Sequence, residues 1–383
     1  MKFLVVDTDY PEFLCWLYAQ HPGLERQPYE YQLRARYESL FGVADFYSSN
    51  LQKLGHEAQD IMANIEPAQK QWAREHGLRY KNTKWRVRLR RGIVPWPYRE
   101  RDHDRLLNIL EAQVKAYRPD VLYCMAIGTV GSDFLRNVKG YYRLAVGQHA
   151  ASLPTHDIGE YDLMLSSLPN QVDYFRSKGM SSELFRLGFE PRVLTRLSSG
   201  DKRFDVAFIG SLSGAHQQGT QTLEYLCRRN CIKVWAYNVG ILPEDSPIRG
   251  AYVGPASGIE MYQVLRGAKI AFNRHVDVAE DYANNMRLYE ATGVGTFLIT
   301  DWKKNLHEMF ELGKEVIAYR TPEECVELIQ YYLEHEDERE QIARAGQHRT
   351  LREHTYYQRM QELVGIVERH LRQPMATTQR VFV

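Results

Sequence analysis

Residues 284–301 read NNMRLYEATGVGTFLITD and bring together side chains that hold anions and hydroxyls. Asn284 and Asn285 stand where a helix begins, Arg287 adds a cation, and Glu290 adds a carboxylate one turn later. The first turn of a helix leaves N–H groups without intrahelical acceptors, and its dipole favours negative charge there. Such a set suits a phosphate seat with hydroxyl-binding groups beside it. Asn273-Arg274-His275, just upstream, closes the apolar run KIAFN and is delivered to the same region.

The elements that position these groups follow from the pattern around them. Met286, Tyr289 and Glu290 fall at helical spacing, and Gly293-Val294-Gly295 stops the helix. Phe297-Leu298-Ile299-Thr300 then reads as a buried parallel strand. A helix feeding a strand through a glycine turn is one unit of a doubly wound α/β sheet, whose ligands sit beyond the carboxyl ends of the strands. Further apolar runs predict strands at 2–6, 121–126, 143–146, 161–166 and 184–189, then at 205–212, 233–238, 268–273 and 316–319. Residues 29–77 read as mostly helical, with a break at Gly55, and 251–254 as a turn. The polar stretch 190–203 has the composition of a linker. It separates an expected domain at 1–195 from one at 204–355, with a closing helix and tail at 356–383.

The 383 residues are 44% apolar and 25% charged, with a net charge of +1, so no global field favours nucleic acid or an acidic partner. No run of roughly 18 apolar residues predicts a membrane span, and the N-terminus reads as a first strand, not a signal peptide. The expected compartment is the cytoplasm. The five cysteines are scattered and read as reduced thiols; Cys227 and Cys231 lack a second ligand pair at zinc-finger spacing. The one basic cluster is KNTKWRVRLRR at 81–91, with Trp96 nearby. It reads either as a solvated face or as contact with an anionic membrane surface.

The segment NMRLYEATGVGTFLITD, with VIAYRTPEECVELIQYYLEHEDEREQIARAGQHRTLREHTYYQRM downstream, resembles the C-terminal domain of group-1-type glycosyltransferases. More narrowly it is similar to the spore-maturation-like branch found in surface-polysaccharide gene sets, as is ANIEPAQKQWAREHG near the start. The resemblance implies the GT-B fold: α/β, two Rossmann-like doubly wound parallel-sheet domains facing a cleft, with a C-terminal helix crossing back to domain one. It implies transfer of a sugar from a UDP- or GDP-linked donor to a glycan, glycolipid or protein acceptor. That transfer would need no metal or other cofactor and would retain configuration.

The resemblance also distributes roles. The strand ending at 212 would bring Gly210, Ser211 and His216 to the donor diphosphate, where the family often has a lysine or arginine that this chain lacks. Asn238 would belong to the donor side, and by position alone Gly240 and the turn at 251–254 would stand near the nucleobase. Of two family glutamates eight positions apart, Glu290 matches the second and would hold the ribose, whereas Tyr282 stands in place of the first. His275, Asp277 and Asn285 would hold the sugar hydroxyls, Asn273 and Asn284 would join them on the donor side, and Arg287 would neutralise the leaving phosphate. His149 matches a histidine that faces the donor sugar and is assigned with Arg287 and Glu290 to catalysis. Asp7, Asp9, Gly128 and His149 belong to the acceptor side. Asp7-Thr8-Asp9 also resembles the metal motif of the other large glycosyltransferase fold, but there it lies well inside the domain; a polar acceptor loop, or a helix cap at Asp9, fits its position better. Three rivals remain: a nucleotide-sugar epimerase of the same fold, a dehydrogenase and a non-catalytic nucleotide-sugar-binding protein. No GxGxxG follows a predicted strand, which argues against the dehydrogenase.

Overall fold

The structure, a computed structural model, describes residues 1–78, 85–90, 94–99, 102–198, 200–212, 217–229, 231–283 and 285–372. At 85–90, 94–99, 102–104 and 217–218 the description is of the backbone. His216 and Asn284 lie outside the described residues.

The strands are β1 (Lys2–Asp7), β2 (Glu57–Met62), β3 (Trp85–Arg90), β4 (Val94–Arg99), β5 (Val121–Cys124), β6 (Leu144–Gln148), β7 (Leu163–Ser166) and β8 (Ser182–Leu184), then β9 (Phe204–Ser211), β10 (Lys233–Tyr237), β11 (Tyr252–Gly254), β12 (Ala268–Asn273), β13 (Phe297–Asp301) and β14 (Ile317–Tyr319). They form two six-stranded sheets, ordered β2-β1-β5-β6-β7-β8 and β11-β10-β9-β12-β13-β14, and the hairpin β3-β4. The central strands are apolar almost end to end because helices cover both faces of a parallel sheet. Residues 3–6 and 297–300 are buried without a break.

The helices are α1 (Pro11–Gln20), α2 (Tyr29–Glu38), α3 (Phe46–Lys53), α4 (Glu66–Glu75), α5 (Asp102–Tyr117), α6 (Ser132–Asn137) and α7 (Pro169–Ser177), then α8 (Gln217–Arg228), α9 (Pro247–Ala251), α10 (Gly258–Arg266), α11 (Met286–Gly293), α12 (Pro322–Glu334), α13 (Glu336–Glu353) and α14 (Tyr356–Arg372). By contacts the chain gathers into two compact units, 1–148 with 154–162, and 149–153 with 163–383. In the second unit Val206, Phe208, Ile270 and Phe297 share one core cluster with Leu223 and Ile329 from the helices.

Three expectations from the sequence are corrected. The stretch 29–77 is mostly helical, through α2, α3 and α4, but the unexpected strand β2 interrupts it and pairs in parallel with β1, Lys2 opposite Glu57. In EAQDIM, Ala58 and Asp60 are buried while Glu57 and Gln59 are exposed. This short alternation of an edge strand is hidden beside two longer helical stripes. The run 184–189 is a strand only at its start. Gly188-Phe189 instead meets the backbone before α14: Phe189 N–H donates to His354 O at 2.8 Å, and Tyr356 N–H to Phe189 O at 2.9 Å. A Cβ on Gly188 would sit 3.1 Å from that backbone, so a larger residue there would push the two segments apart by a few tenths of an ångström. Finally, 252–254 is the edge strand β11, not a turn.

The last helix is tied to the segment after β8. Arg359 Nε donates to Leu187 O at 2.8 Å, and Arg369 and His370 both reach the Glu183 carboxylate, at 2.8 and 2.9 Å. Residues 85–90 and 94–99 of the basic region pair antiparallel as the β3-β4 hairpin. Its side chains, and with them the membrane-contact reading of 81–96, lie outside the described residues. Among the described residues no helix is long and apolar enough to cross a membrane.

Candidate active site

Strand order locates a crevice in the second unit. From β9 the chain builds one way through β10 to β11, then returns to the other side of β9 with β12, β13 and β14. The order reverses between β9 and β12, and ligands of doubly wound sheets sit at the carboxyl ends of such a pair. Those ends are Gly210-Ser211 and Asn273.

Arg274 spans the two strands. It is buried, its guanidinium lies 5.2 Å from the Phe208 ring centre, and Nη2 is 3.4 Å from Ser211 O. Burial pulls its pKa down to about 10. Gly210 keeps this packing possible, since a Cβ there would meet the Phe208 ring at 2.8 Å. Asn238, exposed at the end of β10 and left-handed at φ 63°, directs Nδ2 to Ser211 Oγ at 3.4 Å.

Asn273 and Asn285 lock strand to helix. Asn285 is the N-cap of α11, and its Oδ1 accepts from Leu288 N–H at 3.2 Å. Its Nδ2 donates to Asn273 Oδ1 at 2.8 Å and to Arg274 O at 3.0 Å. Asn273 Nδ2 in turn donates to Thr300 Oγ1 at 2.9 Å. The start of α11 is thereby fixed against the carboxyl ends of β12 and β13.

His275 is 3% exposed, and its Nδ1 lies 2.6 Å from Asp301 Oδ1. The carboxylate can only accept, so Nδ1 carries the hydrogen of this contact. That Nε2 is buried and has no hydrogen-bond partner among the described residues. Burial pushes the Asp301 carboxyl up, but His275 and Lys303 outweigh it and hold the group below its ordinary range.

Arg287 and Glu290 form a second cluster facing α10. Arg287 Nη1 lies 2.9 Å from Glu290 Oε2 and Nη2 lies 3.5 Å from Met261 Sδ. Tyr262 Oη donates to Glu290 Oε1 at 3.5 Å. Burial raises the Glu290 pKa, against the pull of Arg287. These two expected donor contacts are thus paired with each other in this structure.

The other expected residues stand elsewhere. His149 follows β6, donates from Nε2 to Ser152 O at 3.0 Å, and is kept below its ordinary pKa by burial. In the first unit, Asp7 ends β1 and takes the Thr8 N–H at 2.8 Å, while Gly128 is exposed after β5. Asp9 is 9% exposed and forms a two-point pair with Arg36, Nε to Oδ2 at 3.0 Å and Nη2 to Oδ1 at 2.8 Å. The N-cap of α1 is Tyr10, so the expected Asp9 helix cap is not formed. Asn64 clamps the Asp9 backbone, accepting its N–H at 2.9 Å and donating to its carbonyl at 2.7 Å. Among the described residues no three His, Cys, Asp or Glu side chains gather as a metal site.

Sequence reasoning brought Arg274 to this region without giving it a role, and missed Asp301 as a site residue. Their signal was position alone: Arg274 follows β12 at the reversal, and Asp301 ends the neighbouring strand β13. Asn64 and Arg36 gave no local signal, because their partner Asp9 lies 55 and 27 residues away.

Residues 217–365 match a family described as Glycosyl transferase-like. No curated protein matches the chain. Solved structures align over nearly its whole length. Sucrose-phosphate synthase from Thermosynechococcus elongatus has a TM-score of 0.56 at 9% identity, covering 96% of this chain and 99% of its own. AviGT4, described as a glycosyltransferase involved in avilamycin A biosynthesis, gives 0.56 at 14% identity, over 97% and 98%. HepE from Anabaena, solved in complex with UDP-glucose, gives 0.55 at 12%, over 96% and 100%. The fold these likenesses define is GT-B.

Proposed function

We propose that this protein is a glycosyltransferase that moves a sugar, of hexosyl type, from a UDP- or GDP-linked donor to a glycan, glycolipid or protein acceptor. The observation that carries the reading is the side-chain cluster at the β9–β12 reversal, where a buried His275 Nε2 without a partner among the described residues stands beside the asparagine-locked start of α11. The family match over 217–365 takes in Asn273, Arg274, His275, Asn285 and Asp301 of that cluster. The UDP-glucose complex of HepE, a fold relative, supports the donor class.

In this reading residues 204–355 hold the donor and 1–195 the acceptor. The N-terminal turn of α11 receives the diphosphate, its N–H groups opposing the charge that grows on the leaving phosphate. His275 Nε2 accepts a hydrogen from a sugar hydroxyl, and Asp301 fixes the ring that does so. Arg287 exchanges its contact with Glu290 for the phosphate, which frees Glu290 for the ribose. His149 faces the transferred sugar, and Asp7 and Gly128 border the acceptor. Such electrostatic assistance replaces a metal, and the group-1 resemblance points to retention of configuration. Synthesis of a surface polysaccharide at the inner face of the membrane, with 81–96 touching the lipid, is the setting that resemblance suggests.

A thermal-shift screen with UDP, GDP, CMP and NAD tests this. A ligand at 100 times its dissociation constant adds about 2.7 kcal/mol of stability. The expected result is a shift with UDP or GDP that is lost in His275→Ala and Glu290→Ala. A shift with NAD alone, or with no nucleotide, overturns the reading.

A further inference from the structure

A second concavity, independent of the donor-site reading, lies within the first unit. It is a cavity of about 510 Å³ between β2 and the helices α2 to α5, within the size range of small-ligand sites. Tyr29, Tyr37, Trp72 and Tyr117 contribute rings to its wall, and Asp60 and Gln113 contribute polar groups. Glu30 and Asp45 add two more carboxylates, whereas no lysine or arginine is among the described lining residues.

One buried group in this wall lacks a hydrogen-bond donor, and another is a carboxylate without a lysine or arginine partner among the described residues. Asp60 is 5% exposed; Ser48 Oγ donates to its Oδ2, and no lysine or arginine of the described residues pairs with it. Gln113 is 3% exposed, and its Nε2 donates to Tyr29 Oη at 3.3 Å. Its Oε1 has no hydrogen-bond partner among the described residues. A buried carboxylate is costly until a cation pairs with it, and an amide oxygen left without a donor adds to that cost. An ammonium group presents three donors and no acceptor, and aromatic faces attract it.

We propose that this cavity binds a small organic cation through a primary ammonium group. Asp60 supplies the counter-charge, Gln113 Oε1 accepts one N–H, and the rings of Tyr29, Tyr37, Trp72 and Tyr117 pack along the carbon chain.

The charge state of Asp60 ties this binding to pH. Burial pushes its carboxyl up to about 7; Ser48 and Arg36 pull it down, while Asp45 and Asp7 push it up. Arg36 already serves Asp9. Tyr29, Tyr37 and Tyr117 face it as neutral phenols, their pKa values raised by burial, and Glu30 and His76 complete the titratable lining. A bound cation selects the ionised carboxylate, so affinity rises as pH climbs through 7 and levels off above it.

Calorimetric titration of the full chain with putrescine tests the proposal, with butane-1,4-diol as a partner of equal length but no charge. Putrescine is expected to bind about tenfold more tightly at pH 8 than at pH 6, following the ionised fraction of Asp60. The diol is expected not to bind. Asp60→Asn should abolish the heat, and Gln113→Leu should weaken affinity by about tenfold. The second variant keeps the test open if the first fails to fold, which circular dichroism reports. Equal binding of diol and diamine, binding unchanged in the variants, or no binding by the parent overturns the proposal.

Discussion

His275 donates from Nδ1 to Asp301 across 2.6 Å, and its Nε2 is buried without a partner among the described residues. The two residues come from the ends of adjacent strands, 26 positions apart in the chain. Asp301 therefore sets which nitrogen bears the hydrogen and how the ring is turned. The Asp301 carboxyl is held below its ordinary pKa, so the folded state binds its proton less readily than the unfolded chain. Its stabilising effect is present above the ordinary carboxylate value near 4 and is lost as pH falls through the depressed folded value. Asp301→Asn is expected to lower stability at pH 7 by about 1–3 kcal/mol. The gap from the parent should shrink towards pH 3. Urea unfolding at pH 7, 5 and 3 measures it; a gap that does not vary with pH would remove the charge from the account.

Asn285 combines two tasks that substitution can separate. Its Oδ1 caps α11, and its Nδ2 binds Asn273 and Arg274. Asn285→Asp keeps an acceptor for the cap but removes both donors, and Asn285→Ala removes all three contacts. The cap alone is worth about 1 kcal/mol. Asn285→Ala should thus lose more stability than Asn285→Asp by about that amount, while both weaken nucleotide binding. Chemical denaturation and ligand-induced thermal shifts give the two readings, and equal stability of the variants would assign no energy to the cap.

The difference between those readings follows what the sequence could display. The strands β12 and β13 and the start of α11 were legible because a parallel strand writes its burial as a continuous apolar run, and because Asn285, Gly293 and Gly295 punctuate the helix. The reversal between β9 and β12 followed only from the resemblance, since no local pattern tells which strands pair. β2 was misread because a six-residue strand that alternates only over Glu57 to Asp60 carries little signal beside helical stripes. The Asp9–Arg36 pair and the Asn64 clamp were invisible, since each joins residues whose nearness only the sheet order creates.

Asp7 titrates in the opposite sense to Asp301. Burial, offset in part by the Thr8 N–H, pushes its carboxyl up to about 7. A raised folded pKa means that the folded state holds the proton more tightly than the unfolded chain. The associated stability is complete below about pH 4 and is lost as pH rises to about 7. Asp7→Asn cannot ionise and should not show this loss. The expected result is a variant more stable than the parent at pH 8, with an advantage on the order of a few kcal/mol. Most of that advantage should disappear at pH 4. Urea midpoints at the two pH values decide it; an equal offset at both would place the effect in packing.

Arg36 and Asp9 are almost fully withdrawn from water, with side chains 1% and 5% exposed, and meet in a two-point pair. The guanidinium fork matches the carboxylate, which makes the pair geometrically specific. Such a pair gains little over apolar residues of the same volume, but losing one partner strands a buried charge. Arg36→Leu is expected to cost about 3–5 kcal/mol. The double variant Arg36→Leu with Asp9→Leu should recover part of that loss, provided the Asn64 clamp still holds the backbone at residue 9. A full double-mutant cycle by urea unfolding supplies the coupling energy. Additive losses in the cycle would mean that the two charges stand independently, each satisfied by other groups, and that the loop after β1 owes its shape to Asn64 alone.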